Sequence, residues 1–245
     1  MLDVAITGAG IISALGLAPE EFHRQLKADA SGIRRAPWAT NAEAAWLATA
    51  AGFVPREWMD ERIEAGTDLF AQFTLAAAEQ AVRQACVGDL DPVRTGVVHG
   101  TSIGGARALM KAQHLLDNEG PQSVPRKTEI QMYPNMAASQ IAMRYALHGP
   151  SLTLTTACAA SLDALGHAAR LIEAGHADVL LAGGTDGGIT LAGGGPDGDF
   201  VPATFHTSRL YGMTARADDP RRAMLPFDVK RQGIVVGEEI GRAHV

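Results

Sequence analysis

The sequence has two cysteines, Cys86 and Cys158, and only Cys158 lies in a context that favours reactivity. It follows Ser151–Thr155, a run rich in β-branched residues that predicts a buried strand. A helix is predicted to begin directly after it at Ala159, so the thiol would lie at the first turn of a helix. Free backbone N–H groups at that position stabilise a thiolate, which is the nucleophilic form of cysteine. The pattern therefore indicates nucleophilic catalysis, with inert packing as the competing interpretation.

The other cysteine, Cys86, is predicted to lie inside a helix with no such context, and we interpret it as inert packing. Two cysteines far apart in the sequence form no disulfide framework, which indicates a reducing compartment. We therefore expect a cytoplasmic protein.

The elements that must position Cys158 alternate between short apolar runs and longer helical patterns. Strands are predicted at Val4–Thr7, Thr95–His99, Ser151–Thr155, Asp178–Ala182 and Gly233–Val236, and the first is predicted to end in a turn at Gly8–Gly10. Helices are predicted to open at Pro19 and to span Asp68–Cys86, Ala106–Leu116, Ser139–Tyr145 and Ala159–Glu173. This alternation is typical of an α/β fold with a largely parallel sheet. Ile189–Asp199 is predicted to be an irregular glycine-rich loop, and no low-complexity linker divides the chain, which predicts one domain.

Composition excludes several classes of partner. A formal net charge of −6 argues against sequence-independent nucleic-acid binding, which needs a basic face. No run approaches the ~18 apolar residues of a membrane span. The sequence therefore predicts a soluble protein that binds neither nucleic acid nor membrane.

The segment Thr155–Ser161, which reads Thr-Thr-Ala-Cys-Ala-Ala-Ser, resembles the nucleophile motif of the β-ketoacyl-acyl carrier protein synthases, a family of the thiolase-like condensing enzymes. Further motifs of that family appear in the same order from residue 4 to residue 238. They are Val4–Gly10, Ser31–Ile33, Ile103–Gly105, Asn135-Met136, His148–Ser151, Ala177–Val179, Ala182–Gly184, Pro226–Asp228, Arg231, Gly233 and Gly237-Glu238.

This resemblance implies a thiolase-like α/β fold, in which residues 1–238 form the truncated amino-terminal domain and half of a layered αβαβα sandwich with a mostly parallel mixed sheet. It implies that Cys158 accepts an acyl group from the phosphopantetheine of an acyl carrier protein and that its own N–H forms half of an oxyanion hole. Decarboxylative condensation with malonyl-acyl carrier protein would follow, in fatty-acid or polyketide biosynthesis. No metal and no cofactor beyond the carrier's phosphopantetheine are implied.

The resemblance also implies roles for four other residues. Ile103 and Met132 would line the acyl pocket, with Met132 reaching across a homodimer interface. Phe205 would gate the nucleophile, and Arg209 would lie near the entrance. Plain core packing, or a solvated charge for Arg209, is the competing interpretation of these positions. His99 resembles a catalytic histidine but lies in an amino-half motif, so we expect a turn or core histidine.

The sequence also departs from the family pattern. Only Arg62 is basic in Glu61–Thr67, where fatty-acid enzymes carry several basic residues for docking, so docking would depend on other contacts. Asp186 follows Gly183-Gly184-Thr185, where the family usually has Ala-Glu, and Gly187–Asp199 is longer than the matching loop. Because of these departures, a secondary-metabolite synthase is an alternative to a fatty-acid enzyme. The family's two catalytic histidines and its lysine belong to the carboxy-terminal half, so we expect residues 1–245 alone to be inactive.

Three other functions compete with this one. A dinucleotide oxidoreductase is suggested by Thr7–Gly10, but Ser13 occupies the position of the third fingerprint glycine. A non-catalytic ketosynthase partner subunit would lack the nucleophile. A coenzyme A-dependent thiolase-like enzyme would share the fold and the cysteine, but the motif within Pro226–Glu238 favours the carrier-protein branch.

The final residues 239–245 are interpreted as a non-native tail. The family continues after Gly237-Glu238 with Gly-Ala-Gly, whereas this chain reads Glu-Ile-Gly-Arg-Ala-His-Val. That heptapeptide matches the translation of a common sequencing adapter, so we expect the natural reading frame to differ from here onward.

Overall fold

The computed structural model describes residues 3–36, 45–86, 90–187 and 203–244, and for 203–205 and 239–244 it describes the backbone only. The chain divides into two compact units. The first comprises Met1–Ile12, Val54–Gly188 and Ile240–Val245, and the second comprises Ser13–Phe53 and Ile189–Glu239. The prediction of one domain over 1–238 stays a prediction.

A five-stranded sheet forms the centre of the first unit. Its strands are β1 (Gly8–Ser13), β4 (Thr95–Gly100), β5 (Ser151–Leu154), β6 (Val179–Asp186) and β8 (Glu239–His244), in the order β1-β8-β6-β4-β5. Strand β4 pairs in parallel with both β5 and β6. The parallel sheet and three of its predicted strands are therefore confirmed, because β4, β5 and β6 match their predicted positions.

The described residues of this unit form six α-helices. They are α2 (Glu61–Glu64), α3 (Leu69–Ala85), α4 (Ala106–Glu119), α5 (Thr128–Met132), α6 (Met136–Arg144) and α7 (Ala160–Glu173). Helix α3 is the most buried, because its alanines allow close packing against α6 and β6. Helix α7 covers β4, β5 and β6, where Ala164, Ala168 and Leu180 form a buried cluster.

The first strand lies later than predicted, at Gly8–Ser13 instead of Val4–Thr7. The glycines that suggested a turn serve a close approach between this strand and α3. A Cβ on Gly8 would lie 2.1 Å from the carbonyl oxygen of Ala81, and one on Gly10 would lie 1.9 Å from that of Ala77. The prediction was wrong because a glycine that permits backbone contact looks the same in sequence as one that permits a turn.

The second unit contains a three-stranded sheet in the order β2-β3-β7. Its strands are β2 (Arg34–Arg35), β3 (Trp46–Ala48) and β7 (Val236–Gly237), and its helices are α1 (Pro19–Lys27) and α8 (Ala203–Leu210). The indole Nε1 of Trp46 donates a hydrogen bond of 2.7 Å to the carbonyl oxygen of Ala217. Trp46 also packs on a small core of Ala215, Ala217 and Ala223.

Near the end of the chain, β7 is shorter and later than the predicted strand Gly233–Val236. Residues Glu239–His244, which we interpreted as part of a non-native tail, form β8 between β1 and β6. The origin of this segment stays a prediction. The predicted loop Ile189–Asp199 lies outside the described residues. Within the described ranges, no helix combines the length and apolar character needed to cross a membrane.

Candidate active site

Three neighbouring parallel strands end at the same edge of the five-stranded sheet. Gly100 of β4 is in register with Leu154 of β5 and with Gly184 of β6. The turns that follow β4 and β5 therefore lie side by side. We call residues 101–105 the clamped turn and residues 155–159 the nucleophile turn. In parallel α/β sheets, ligand sites form at the carboxyl ends of strands, so this edge is the candidate site.

Cys158 lies in the nucleophile turn, between β5 and α7, as the sequence predicted. Residues Ala157–Ala159 form one turn of 3-10 helix, and α7 begins directly after it at Ala160. The thiol is exposed, so inert buried packing does not describe it. Among the described residues, none accepts a hydrogen bond from the backbone N–H of Cys158. That N–H is therefore available to an oxygen atom of a bound substrate.

The backbone beside the cysteine adopts an uncommon conformation. Ala157 has a φ of 53°, in the left-handed region that costs a residue with a Cβ about 1–2 kcal/mol. Such conformations persist where the surrounding structure imposes them, and they cluster at functional sites. Ala157 directly precedes the exposed Cys158, in the short connection between the strand and the helix.

Two glycines allow the first turn of α7 to rest directly on the sheet. A Cβ on Gly100 would lie 2.2 Å from the carbonyl oxygen of Ala160. A Cβ on Gly184 would lie 2.2 Å from Oγ of Ser161 and 2.6 Å from the carbonyl oxygen of Gly100. The position of the nucleophile turn relative to β4 and β6 therefore depends on the absence of side chains at these two strand ends.

A side-chain hydrogen bond links the nucleophile turn to α7. The hydroxyl of Thr156 donates to the carboxylate of Asp163, and both residues are exposed. Asp163 lies in the first turn of α7, where a carboxylate also interacts favourably with the helix dipole. The sequence analysis assigned no role to either residue.

The clamped turn is held by a carboxylate from the neighbouring strand. Asp186, the last residue of β6, accepts hydrogen bonds through Oδ1 from the Thr101 hydroxyl at 2.9 Å and from the Ser102 backbone N–H at 2.8 Å. Its Oδ2 accepts a further bond from the Ser102 hydroxyl. Within the turn, the N–H of Gly104 donates to the Thr101 hydroxyl at 3.1 Å. Sequence analysis noted Asp186 only as a departure from a family pattern.

A second carboxylate holds the helix that follows the clamped turn. Asp68 caps α3 through the N–H of Leu69 at 2.6 Å and accepts a bond from the N–H of Ala108, in the first turn of α4, at 2.8 Å. Arg107 lies 3.7 Å from the same carboxylate. Burial raises the pKa of Asp68 above its ordinary value, although the hydrogen bonds from Ala108 and Leu69 and the charge of Arg107 act in the opposite direction.

Two of the predicted pocket residues adjoin the clamped turn. Ile103 lies within it and exposes 39% of its surface. Met132, the last residue of α5, accepts a hydrogen bond of 3.3 Å on its carbonyl oxygen from the N–H of Gly105. The structure therefore brings Ile103 and the Met132 segment together at the edge that also presents Cys158. Their roles in lining an acyl pocket stay predictions.

The other two predicted residues lie on α8 in the second unit. The side chain of Phe205 is outside the described residues. Arg209 is half-buried near the end of the helix. Gating by Phe205 and an entrance position for Arg209 stay predictions.

His99 and Cys86 are the two other side chains considered as reactive groups, and neither lies in the nucleophile turn. His99 is fully buried, and its Nε2 lies 3.2 Å from the hydroxyl of Thr74 and 3.3 Å from that of Thr185, so it is a core histidine, as expected. Cys86 does not lie inside a helix, which corrects the prediction. It caps the carboxyl end of α3 with a φ of 47° and is exposed, so the interpretation of Cys86 as packing is wrong as well. Among the described residues, no group of three or more His, Cys, Asp or Glu side chains could hold a metal ion.

Basic side chains beside α2 surround a groove of about 480 Å³. Arg62, Lys127 and Arg144 contribute charge, and apolar residues such as Ile63 and Ile130 form part of its lining. Arg144 is already paired with Glu79, so among the described residues Arg62 and Lys127 are the groove's cations without an ion pair. Lys127 is therefore a second basic side chain in the same groove as Arg62.

A family model described as the β-ketoacyl synthase N-terminal domain matches residues 1–243. The 3-oxoacyl-[acyl-carrier-protein] synthase 2 of Rhizobium meliloti is 31% identical over 98% of this chain and 58% of its own length. A relative from Streptomyces coelicolor, named as an actinorhodin polyketide β-ketoacyl synthase 1, is 32% identical over 96% of this chain and 50% of its own length. The chain thus spans a little over half the length of the curated relatives that it matches.

Solved structures of ketosynthases also match this chain over part of their own length. A β-ketoacyl synthase from Burkholderia phymatum superimposes on the whole chain with a TM-score of 0.80 at 28% identity, and the match covers 59% of that chain. The ishigamide ketosynthase/chain length factor matches 98% of this chain with a TM-score of 0.81 at 25% identity, covering 57% of its own. These similarities confirm the predicted thiolase-like α/β fold.

Proposed function

Because this chain belongs to the β-ketoacyl synthase family, whose N-terminal domain it matches over residues 1–243, we propose that the complete protein condenses an acyl group held on Cys158 with malonyl-acyl carrier protein. The exposed cysteine at the carboxyl edge of the sheet supports this proposal most directly. The reaction makes a 3-oxoacyl thioester and releases carbon dioxide. Fatty-acid and polyketide relatives differ by one percentage point in identity, 31% against 32%, so the proposal is limited to the shared reaction.

The first step is acyl transfer to the enzyme. The Cys158 thiolate attacks the carbonyl carbon of an acyl-carrier thioester, and the carbonyl oxygen gains negative charge in the tetrahedral intermediate. The N–H of Cys158, which has no acceptor among the described residues, can donate a hydrogen bond to that oxygen. The carbon–sulfur bond to the carrier then breaks, and the carrier thiolate leaves and takes up a proton.

The second step forms the new carbon–carbon bond. Malonyl-acyl carrier protein loses carbon dioxide, and the electron pair of the broken bond stays on the α-carbon. That carbanion attacks the acyl carbonyl on Cys158, and the cysteine leaves as thiolate. We propose that residues 1–245 alone cannot complete this step, because the two histidines and the lysine that the family uses have no matching motif in them.

The acyl chain and its carrier would use different surfaces. Ile103 and Met132 supply apolar contacts beside the clamped turn for the acyl chain. The groove beside Arg62 and Lys127 offers positive charge to an acidic carrier protein. One solved relative, AntDE:AntF, is a type II polyketide acyl-carrier protein in complex with its ketosynthase, 25% identical to this chain.

We also propose that the complete protein is a homodimer, in which Met132 reaches the active site of the neighbouring subunit. Sedimentation of the complete protein as a monomer at micromolar concentration would contradict this proposal.

The test is acyl transfer to the complete protein from two donors, acyl-acyl carrier protein and acyl-coenzyme A. We expect the acyl mass on the peptide that contains Cys158, and faster transfer from the carrier protein. Cys158→Ala should lower the acylation rate at least about a thousandfold. Cys86→Ala is the matched control and should acylate normally.

Two results would overturn the proposal. An acyl group on Cys86 with none on Cys158 would exclude the assigned nucleophile. Faster transfer from coenzyme A would move the protein to the coenzyme A-dependent thiolase-like enzymes.

A further inference from the structure

The hydrogen bonds of Asp186 connect the end of β6 to the clamped turn through three donors on two residues. Two of these donors are hydroxyls, of Thr101 and Ser102, and the third is the backbone N–H of Ser102. An ionised carboxylate accepts hydrogen bonds only, and its charge strengthens each of them. The start of the clamped turn is therefore fixed to the strand that lies next to β4 in the sheet.

The clamp extends through the turn to the segment that ends at Met132. Thr101, which donates to Asp186, accepts a bond from the N–H of Gly104, and Gly105 donates to the carbonyl oxygen of Met132. Packing here is tight, because a Cβ on Gly105 would lie 1.9 Å from the carbonyl oxygen of Gln131. A shift of the turn would therefore move Ile103 and the end of α5 relative to each other.

Ile103 stands between these fixed points. Its neighbours Ser102 and Gly104 both belong to the hydrogen-bonded network, and its own apolar side chain is 39% exposed. It lies at the edge of the sheet where Cys158 is also exposed. An acyl chain attached to Cys158 would meet an apolar side chain whose backbone position is determined by Asp186.

We propose that Asp186 is a positioning residue that sets the acyl-chain preference of the complete protein by fixing the clamped turn. The proposal rests on the proposed function, since it concerns the acyl group that Cys158 accepts. Asp186 touches neither the substrate nor the reacting atoms, and it acts through Ser102 and Thr101 on Ile103. A pocket wall displaced by even part of an ångström discriminates differently between short and long chains.

The test measures kcat/KM for acyl transfer to the complete protein from acetyl- and dodecanoyl-carrier protein. In Asp186→Asn, one acceptor oxygen becomes an N–H₂ donor, so the hydrogen bonds lose the carboxylate charge that strengthens them and the Ser102 hydroxyl has to turn and accept instead of donating. We expect the ratio of the two kcat/KM values to change about tenfold, mainly through the longer donor. Asp186→Glu keeps both acceptor oxygens on a longer side chain and should restore much of the original ratio.

Two further variants separate positioning from general damage. Ser102→Ala removes one hydroxyl donor and should change the ratio in the same direction by a smaller factor, with little further change in the double variant. Asp91→Asn is the matched control, because Asp91 is an exposed carboxylate that accepts from the N–H of Val93 in the loop before β4. It should leave the ratio unchanged.

The outcomes distinguish this inference from the proposed function. A wild-type protein that takes no acyl group on Cys158 overturns both. If the wild type is acylated on Cys158 and Asp186→Asn lowers kcat/KM equally for both donors, or for neither, this inference alone is overturned. If Asp186→Asn does not fold, Ser102→Ala decides the question, and an unchanged ratio in it overturns the inference.

Discussion

The clamped turn and the nucleophile turn leave the same edge of the sheet, but they are held in different ways. Asp186 holds the clamped turn through three hydrogen bonds, and Asp68 adds a bond to the first turn of the helix that follows. Within the part of the chain that the structure describes, the nucleophile turn has one such side-chain bond, between the exposed Thr156 and Asp163. Its backbone is positioned by contact, because α7 rests on the ends of β4 and β6.

This difference matches the two tasks that we propose for these turns. A nucleophile must meet a substrate carbonyl, so its side chain needs exposure and its backbone N–H must remain available. A pocket wall only has to stay in place, and buried or half-buried carboxylates with several donors are suited to that. If this division is correct, the nucleophile turn should be sensitive to steric changes beneath it, and the clamped turn to changes in its hydrogen bonds and charges.

The largest effect on stability is expected beneath the nucleophile turn. Gly100→Ala places a Cβ 2.2 Å from the carbonyl oxygen of Ala160, and neither strand nor helix backbone can yield easily. We expect it to lower the free energy of unfolding by about 3 kcal/mol and to slow acylation of Cys158. Urea unfolding and the acyl-transfer assay measure the two effects in the complete protein.

The control is Gly175→Asn at the opposite end of α7. Gly175 has a φ of 77° and open space around its Cα, and asparagine tolerates this conformation better than other residues. We expect a loss of no more than about 1 kcal/mol. Equal losses in the two variants would mean that contact at the strand end does not position the nucleophile turn.

The strand and helix that flank Cys158 could be predicted from sequence because their patterns are local. Periodicity and β-branched residues identified β4, β5, α3 and α7 to within a few residues. The misplaced first strand shows where local patterns fail. Gly8 and Gly10 are required by Ala81 and Ala77 of α3, about 70 residues later in the chain, and no local pattern reveals that contact.

The hydrogen bonds between Asp186 and the clamped turn could not be predicted from the sequence for the same reason. Asp186 is separated by 84 residues from Ser102 and by 85 from Thr101. Its side chain could be recognised as unusual, but its partners depend on the parallel pairing of β4 with β6. Cys86 was misplaced by one residue, because the end of α3 is set by a left-handed cap that a non-glycine residue rarely forms.

A smaller effect is expected from the second carboxylate beside the clamped turn. The pKa of Asp68 is raised by burial, so the folded protein binds its proton more tightly than the unfolded chain does. The contribution of Asp68 to the free energy of unfolding should therefore fall as the pH rises from about 4 through the folded pKa. Urea unfolding of wild type and Asp68→Asn between pH 4 and pH 7 measures this.

The difference between these two proteins isolates Asp68, because the other carboxylates titrate in both. We expect the stability of wild type relative to Asp68→Asn to decrease with rising pH over that window. A relative stability that increases with pH would mean that the hydrogen bonds from Leu69 and Ala108 outweigh burial. The charged form of Asp68 would then be the form that stabilises the starts of α3 and α4.

The smallest effect is expected at Asp163, the only side-chain partner of the nucleophile turn among the described residues. An exposed hydrogen bond to a carboxylate gains little over the bonds that both groups form with water, and salt screens its charge. Asparagine at this position still accepts from the Thr156 hydroxyl, so Asp163→Asn should change Tm by no more than about 1 °C. Differential scanning calorimetry in low and high salt measures this, with Asp91→Asn as the exposed control. A larger fall in Tm for Asp163→Asn than for Asp91→Asn would show that this hydrogen bond helps the strand ends to hold the nucleophile turn. The nucleophile turn and the clamped turn would then differ only in the number of hydrogen bonds that hold them.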